Sequence, residues 1–138
     1  MSTLALPGQP CQTPPRPEWT DPEKWVWQQV CEGKIADFNT LHKEELDPRD
    51  SDGWPQKRLI SPAFLETILL HDPFQSAVPR QGVRIVGAWV KEPLELENAR
   101  LTRPWWLDKS RVDAEVQLSE LQSTDPIFFN GSMFTAGL

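Results

Sequence analysis

From Val83 onward the chain repeats every 11 residues, and no other property restricts its folding so much. Val83, Leu94, Trp105, Val116 and Ile127 align as the first position of successive units. Two residues on stand Ile85, Leu96, Leu107, Leu118 and Phe129. Three further on come the mostly small Ala88, Ala99, Ser110, Leu121 and Ser132, and two beyond those Val90, Leu101, Val112, Ser123 and Phe134. The steps are therefore 2, 3, 2 and 4. A helix of 3.6 residues per turn cannot produce that series, nor can a plain strand of period 2. Short strands with a corner after each one can. Pro93, Pro104 and Pro126 each precede a unit start, where a corner needs no amide donor. Sixteen or more of the 20 aligned positions are apolar or alanine, so stacked coils would bury a continuous core that no single strand could bury alone. The fold class this predicts is mainly β: a short right-handed parallel β-helix capped by N-terminal α-helices.

Three segments carry a family resemblance. Asn98-Ala99-Arg100-Leu101, Lys109-Ser110-Arg111-Val112 and Gly131-Ser132-Met133-Phe134 each place a small residue two positions before an apolar one. In this the stretch 83–134 resembles the pentapeptide-repeat proteins, whose four-sided β-helix points such pairs at its core. Units starting at Leu94, Trp105, Val116 and Ile127 depart from that pattern with a large residue at the small position, and every second unit has a sixth residue. The resemblance implies a divergent branch with faces of five and six residues and a coil of 22. Some members of the family are similar to duplex DNA in width and negative charge, and inhibit topoisomerases.

Ahead of the repeat the chain reads as two further parts. Residues 1–20 hold five prolines, which block helix and ladder alike, so a proline-rich flexible arm is predicted. Residues 21–82 form the expected cap. Asp21-Pro22-Glu23 reads as a helix start with Asp21 as N-cap, and Gly33 as a stop. Ser61-Pro62 repeats that chemistry, with Phe64, Leu65, Ile68 and Leu69 on one face and Asp72-Pro73 as the end. Between them residues 37–55 make an acidic connector. The solenoid then occupies 83–138, and its last coil is expected to be open, available to a partner or to a second copy in a homodimer.

The same register predicts what faces outward. Residues 22 apart should stack, which aligns Arg84, Trp106 and Phe128 on one face and Trp89, Arg111 and Met133 on the next. Aromatic and arginine side chains are the types that dominate binding hot spots. These six are the candidate partner-binding residues, unless the N-terminal segment folds back over them. A one-residue exchange at Trp105-Trp106 would put Trp106 in the core instead.

Chemistry is harder to find. Gly82-Val83-Arg84-Ile85-Val86-Gly87 lacks the glycine spacing of a phosphate loop, and there is no nucleophile elbow or HExxH. The acids from Glu44 to Asp52 lack the glycine and closing glutamate of a calcium loop. Cys11, Cys31, His42 and His71 have no ligand-like spacing, so no metal, cofactor or catalytic role is expected. The two cysteines read as free thiols, and with no secretory start in the first residues the expected compartment is the cytoplasm. A net charge of −6 argues against direct nucleic-acid binding, and no run approaches the length of a membrane span. Two functions remain: a non-enzymatic protein-interaction module, or a small acidic inhibitor of a nucleic-acid enzyme, such as a topoisomerase or a phage-defence nuclease. Residues 83–138 carry eight acids against six bases, too weak an excess for a solenoid that imitates DNA, so the first is preferred.

Overall fold

The computed structural model describes residues 11–136. The reading of the first residues and half of the proline-rich arm lie outside them. The order of elements is helix α1 (Asp21–Cys31), strand β1 (Ala36–Asp37), helix α2 (Phe38–His42), a 3-10 turn (Gln56–Arg58), then helices α3 (Pro62–Leu70) and α4 (Phe74–Ala77). Ten short strands follow: β2 (Val83–Val86), β3 (Trp89–Val90), β4 (Leu94–Glu95), β5 (Arg100–Leu101), β6 (Trp105–Asp108), β7 (Arg111–Val112), β8 (Val116–Gln117), β9 (Gln122–Ser123), β10 (Ile127–Phe128) and β11 (Met133–Phe134).

All strand pairing is parallel, and within 83–134 every pair joins residues 22 apart: Val83 with Trp105, Trp105 with Ile127, Trp89 with Arg111, Leu94 with Val116 and Arg100 with Gln122. Four small sheets result, β1-β2-β6-β10, β3-β7-β11, β4-β8 and β5-β9. These sheets, with a few helices before them, are compatible with a β-solenoid. Trp105 is fully buried and Trp106 points outward, which resolves the exchange left open by the sequence.

Backbone conformation repeats with the side chains. Gly87, Asn98, Lys109, Glu120 and Gly131 all have positive φ, at 11-residue intervals, each directly before the small position. Glycine and asparagine suit that left-handed corner; Lys109 and Glu120 adopt it at a cost of about 1 kcal/mol each. The small position itself carries a polar ladder. The amide of Ala88 donates to Ser110 Oγ and that of Ser110 to Ser132 Oγ, both at 3.0 Å. Fully buried Ser110 donates a hydrogen bond from its hydroxyl to the Asp108 carbonyl at 2.9 Å, so the hydroxyl is satisfied.

The N-terminal part continues this stack rather than merely sitting on it. Ala36 and Asp37 pair with Ile85 and Val86, and Leu59 bridges Trp89, so two faces gain a partial extra strand. Strand β1 was invisible in the acidic connector, because two residues carry no period. Helix α3 packs on β4 and β5. One apolar core runs from Val26, Trp27 and Phe64 through Ile85, Leu96 and Leu107 to Val116.

Helix α1 begins one residue earlier than the sequence suggests. Thr20, not Asp21, is the N-cap: its hydroxyl accepts from the Glu23 amide at 3.3 Å, and Glu23 Oε1 accepts from the Thr20 amide at 3.0 Å. This capping box satisfies two otherwise orphaned donors and contributes about 1 kcal/mol. Glu23 Oε2 also accepts from the amide of Ser61, the α3 N-cap, at 2.7 Å, so one buried carboxylate ties two helix starts together.

The cysteines are not free. Cys11 and Cys31 are joined in a disulfide, with their Cα atoms 5.3 Å apart. Residues 11–19 lie against α1: the Trp27 indole donates to the Thr13 carbonyl at 2.8 Å, and buried Trp19 packs edge-on to Phe64 and beside Phe74. Proline density excludes helix and ladder from this segment, but not packing through its one tryptophan.

Candidate interaction surface

The register sets Arg84, Trp106 and Phe128 side by side on adjacent strands. The Arg84 guanidinium lies 5.5 Å from the Trp106 ring centre, and Trp106 meets Phe128 edge-to-face at 5.9 Å. A cation over a tryptophan face is favourable by about 0.5–1 kcal/mol at such a site. On the neighbouring sheet Trp89, Arg111 and Met133 form the second row.

These rows are open at one end and covered at the other. Arg84 donates to the Gly33 carbonyl at 3.0 Å, and burial pushes its pKa down. Arg111 is only 7% exposed: its Nη1 donates to the Pro48 carbonyl at 2.8 Å, beneath the acidic connector. Trp89 and Trp106 are half-buried. Phe128 and Met133 are each 38% exposed, so within these two rows the accessible apolar surface lies on the last coil. Burial thins in the same direction. Leu94, Leu96, Trp105 and Leu107 are buried, whereas Ile127, Phe129 and Phe134 are half-exposed.

Sequence reasoning missed the residue that holds the second row in place. Asp113 accepts from the Trp89 indole at 2.9 Å, from Arg111 Nε at 3.0 Å and from the Thr135 hydroxyl at 3.2 Å, and pairs with Arg111 Nη2 at 2.9 Å. The only available signal was an acid two residues after an outward arginine. Burial would raise the Asp113 pKa, but the bonds from Trp89, Arg111 and Thr135 outweigh it and hold the carboxyl below the usual range. With the folded value depressed, this stability is present above the unfolded carboxylate value near 3.9 and is lost as pH falls through the folded one. Asp113→Asn is expected to lower stability at pH 7 by about 1–2 kcal/mol. The gap from wild type should close as pH drops below about 4, as read by urea unfolding across pH.

Among the described residues no three His, Cys, Asp or Glu side chains converge as a metal site would require. No helix among them is long and apolar enough to cross a membrane. No protein-family model, curated protein or solved structure matches the chain.

Proposed function

We propose that the chain is a non-enzymatic protein-interaction module, a right-handed β-solenoid of pentapeptide-repeat type. In this reading its outward rows bind a protein partner through their open end. Exposure of Phe128 and Met133 beside half-buried Trp106 is the observation that carries the reading. A large apolar side chain left in water next to a second one is what contact surfaces offer. Trp106, Phe128 and Met133 would make the contact, with Arg84 and Trp89 at its margin; Arg111 acts beneath it, through Asp113. Strands β9, β10 and β11 each pair on one edge only among the described residues, so the same end also offers backbone groups to a second copy of the chain.

The cytoplasmic expectation rested partly on free thiols, and the Cys11–Cys31 bond removes that ground, since cytosolic reductants keep thiols reduced. The proposed surface does not depend on the compartment. The inhibitor reading gains nothing from the fold, because the sheet face bearing Arg84, Trp106 and Phe128 is largely aromatic where a DNA imitation needs dense acid.

The test is affinity capture with three baits: wild type, Trp106→Ala/Phe128→Ala, and Glu95→Ala/Arg100→Ala on other faces. The expected result is a partner held by the first and third baits at high salt, and weakened at least about tenfold with the second. Retention by all three, or no captured partner, would overturn the proposal. A nucleic-acid enzyme released by salt from all three would favour the inhibitor.

A further inference from the structure

A cleft of about 820 Å³ opens between the start of α1, helix α2 and the 3-10 turn, reaches Lys91, whose Nζ lies 5.0 Å from the Trp89 ring centre, and is not used by the proposed function. Its size is that of a small-molecule site. The wall is an aromatic series. Trp25 lies 4.9 Å from Phe38, and Phe38 stacks on His42 at 6.0 Å with 19° between the planes. Leu59 adds to this wall, and Leu41 at the lip is 45% exposed, an apolar side chain with no cover among the described residues.

The polar groups are unequally placed. Glu23 is already engaged by Thr20 and Ser61, which fixes the geometry of the wall and leaves its carboxylate occupied. Asp21 and Glu92 also reach the cleft, Asp21 in the first turn of α1, where the helix dipole favours its charge. Lys57 and Lys91 line it without an ion-pair partner among the described residues. His42 Nε2 is buried and has no hydrogen-bond partner. Burial, then the charges of Lys57 and Arg58, lower the His42 pKa, against the opposing pull of a Lys57 backbone hydrogen bond and of Glu44. Lys57 and Arg58 are thus the cations nearest that end of the cleft, with Asp21 and Glu92 elsewhere on its lining.

We propose that this cleft binds a small aromatic or aliphatic carboxylate, with its apolar body between Trp25, Phe38, Leu41 and Leu59 and its charge at the Lys57 end. A neutral molecule would leave the lysine unanswered. A cation would meet a like charge at the Lys57 end.

Titration of the ¹⁵N-labelled full chain tests this with three probes of one shape: 1-naphthoate, 1-naphthamide and 1-naphthylmethylammonium. Naphthoate is expected to shift the amides of Trp25, Leu41 and Lys57 saturably, and to bind at least about tenfold more tightly than the amide. Lys57→Gln should abolish that preference, while Leu41→Ser should weaken all three probes alike. Both side chains are exposed, so each variant is expected to keep the wild-type melting curve and spectrum. The proposal falls if naphthoate causes no saturable shift, or shifts other residues. It also falls if the amide or the cation binds as well, or if Lys57→Gln keeps the preference.

Discussion

Reduction of the Cys11–Cys31 bond is expected to lower the stability of the folded chain by about 3 kcal/mol. The bond joins residues 20 apart. Cross-linking a loop of that length removes chain entropy from the unfolded state worth about that amount at room temperature. In a chain of this size the melting point should fall by about 10 °C. Trp19 in its aromatic cluster and the Trp27–Thr13 hydrogen bond do not depend on sulfur, so residues 12–19 should stay docked at low temperature. Melting the same protein with and without a phosphine reductant measures the effect without changing a residue. That control is preferable to Cys31→Ser, because Cys31 is buried and a hydroxyl there would bring its own penalty. Two titratable thiols in the air-oxidised folded protein, or an unchanged melting point on reduction, would contradict the assignment.

Arg58→Ala is expected to cost about 3 kcal/mol or more. Arg58 is fully buried, although its place in a short turn after the acidic connector suggests an ordinary surface cation. Its Nη1 donates to Asn39 Oδ1 at 2.6 Å and to the Gly87 carbonyl at 3.2 Å, its Nη2 donates to the Glu44 carbonyl, and its Cζ lies 5.8 Å from the Trp54 ring centre. No carboxylate pairs with it among the described residues; carbonyl and amide oxygens surround the charge instead. The guanidinium fork therefore joins α2, the connector and the first corner of the repeat. Gly87 is part of the fit, since a Cβ there would come within 2.6 Å of Asn39 Oδ1. Arg58→Met keeps most of the volume and removes every donor, so it separates packing from hydrogen bonding. If the bonds dominate, Met should lose nearly as much as Ala in urea unfolding, and Lys should recover only a small part, because it cannot present a planar fork. A wild-type curve for Arg58→Met would refute this account.

The stacked strands were legible because a coil that returns every 22 residues writes the same four inward positions into the sequence twice per turn. Val83, Trp105 and Ile127 are readable as neighbours without any long-range information. The left-handed corners were also written there, in Gly87, Asn98 and Gly131, but Lys109 and Glu120 disguised the series. What could not be read depends on contacts between residues that belong to no period. Cys11 reaches Cys31 only because Trp19 and Thr13 hold the preceding segment on α1. Arg58 is a core residue only because three oxygens from distant segments converge on it. The connector looked like a solvated acidic loop, yet its Pro48 carbonyl covers Arg111, and its first residue, Asp37, completes a strand. The outward rows were thus predictable in order, whereas their accessibility was not.

The 22-residue pairing also makes length a quantised property of this chain. Adding one full turn between β5 and β6 would give every stack one more rung and extend the body by about 4.8 Å. Removing 11 residues between Arg84 and Trp106 would keep every remaining inward position inward and still scramble the exterior, placing Gln117 where Trp106 had been beside Arg84. Duplication and loss of half-turns would therefore be silent in the interior and decisive outside, so the exterior can be rewritten by counting residues rather than by substituting them.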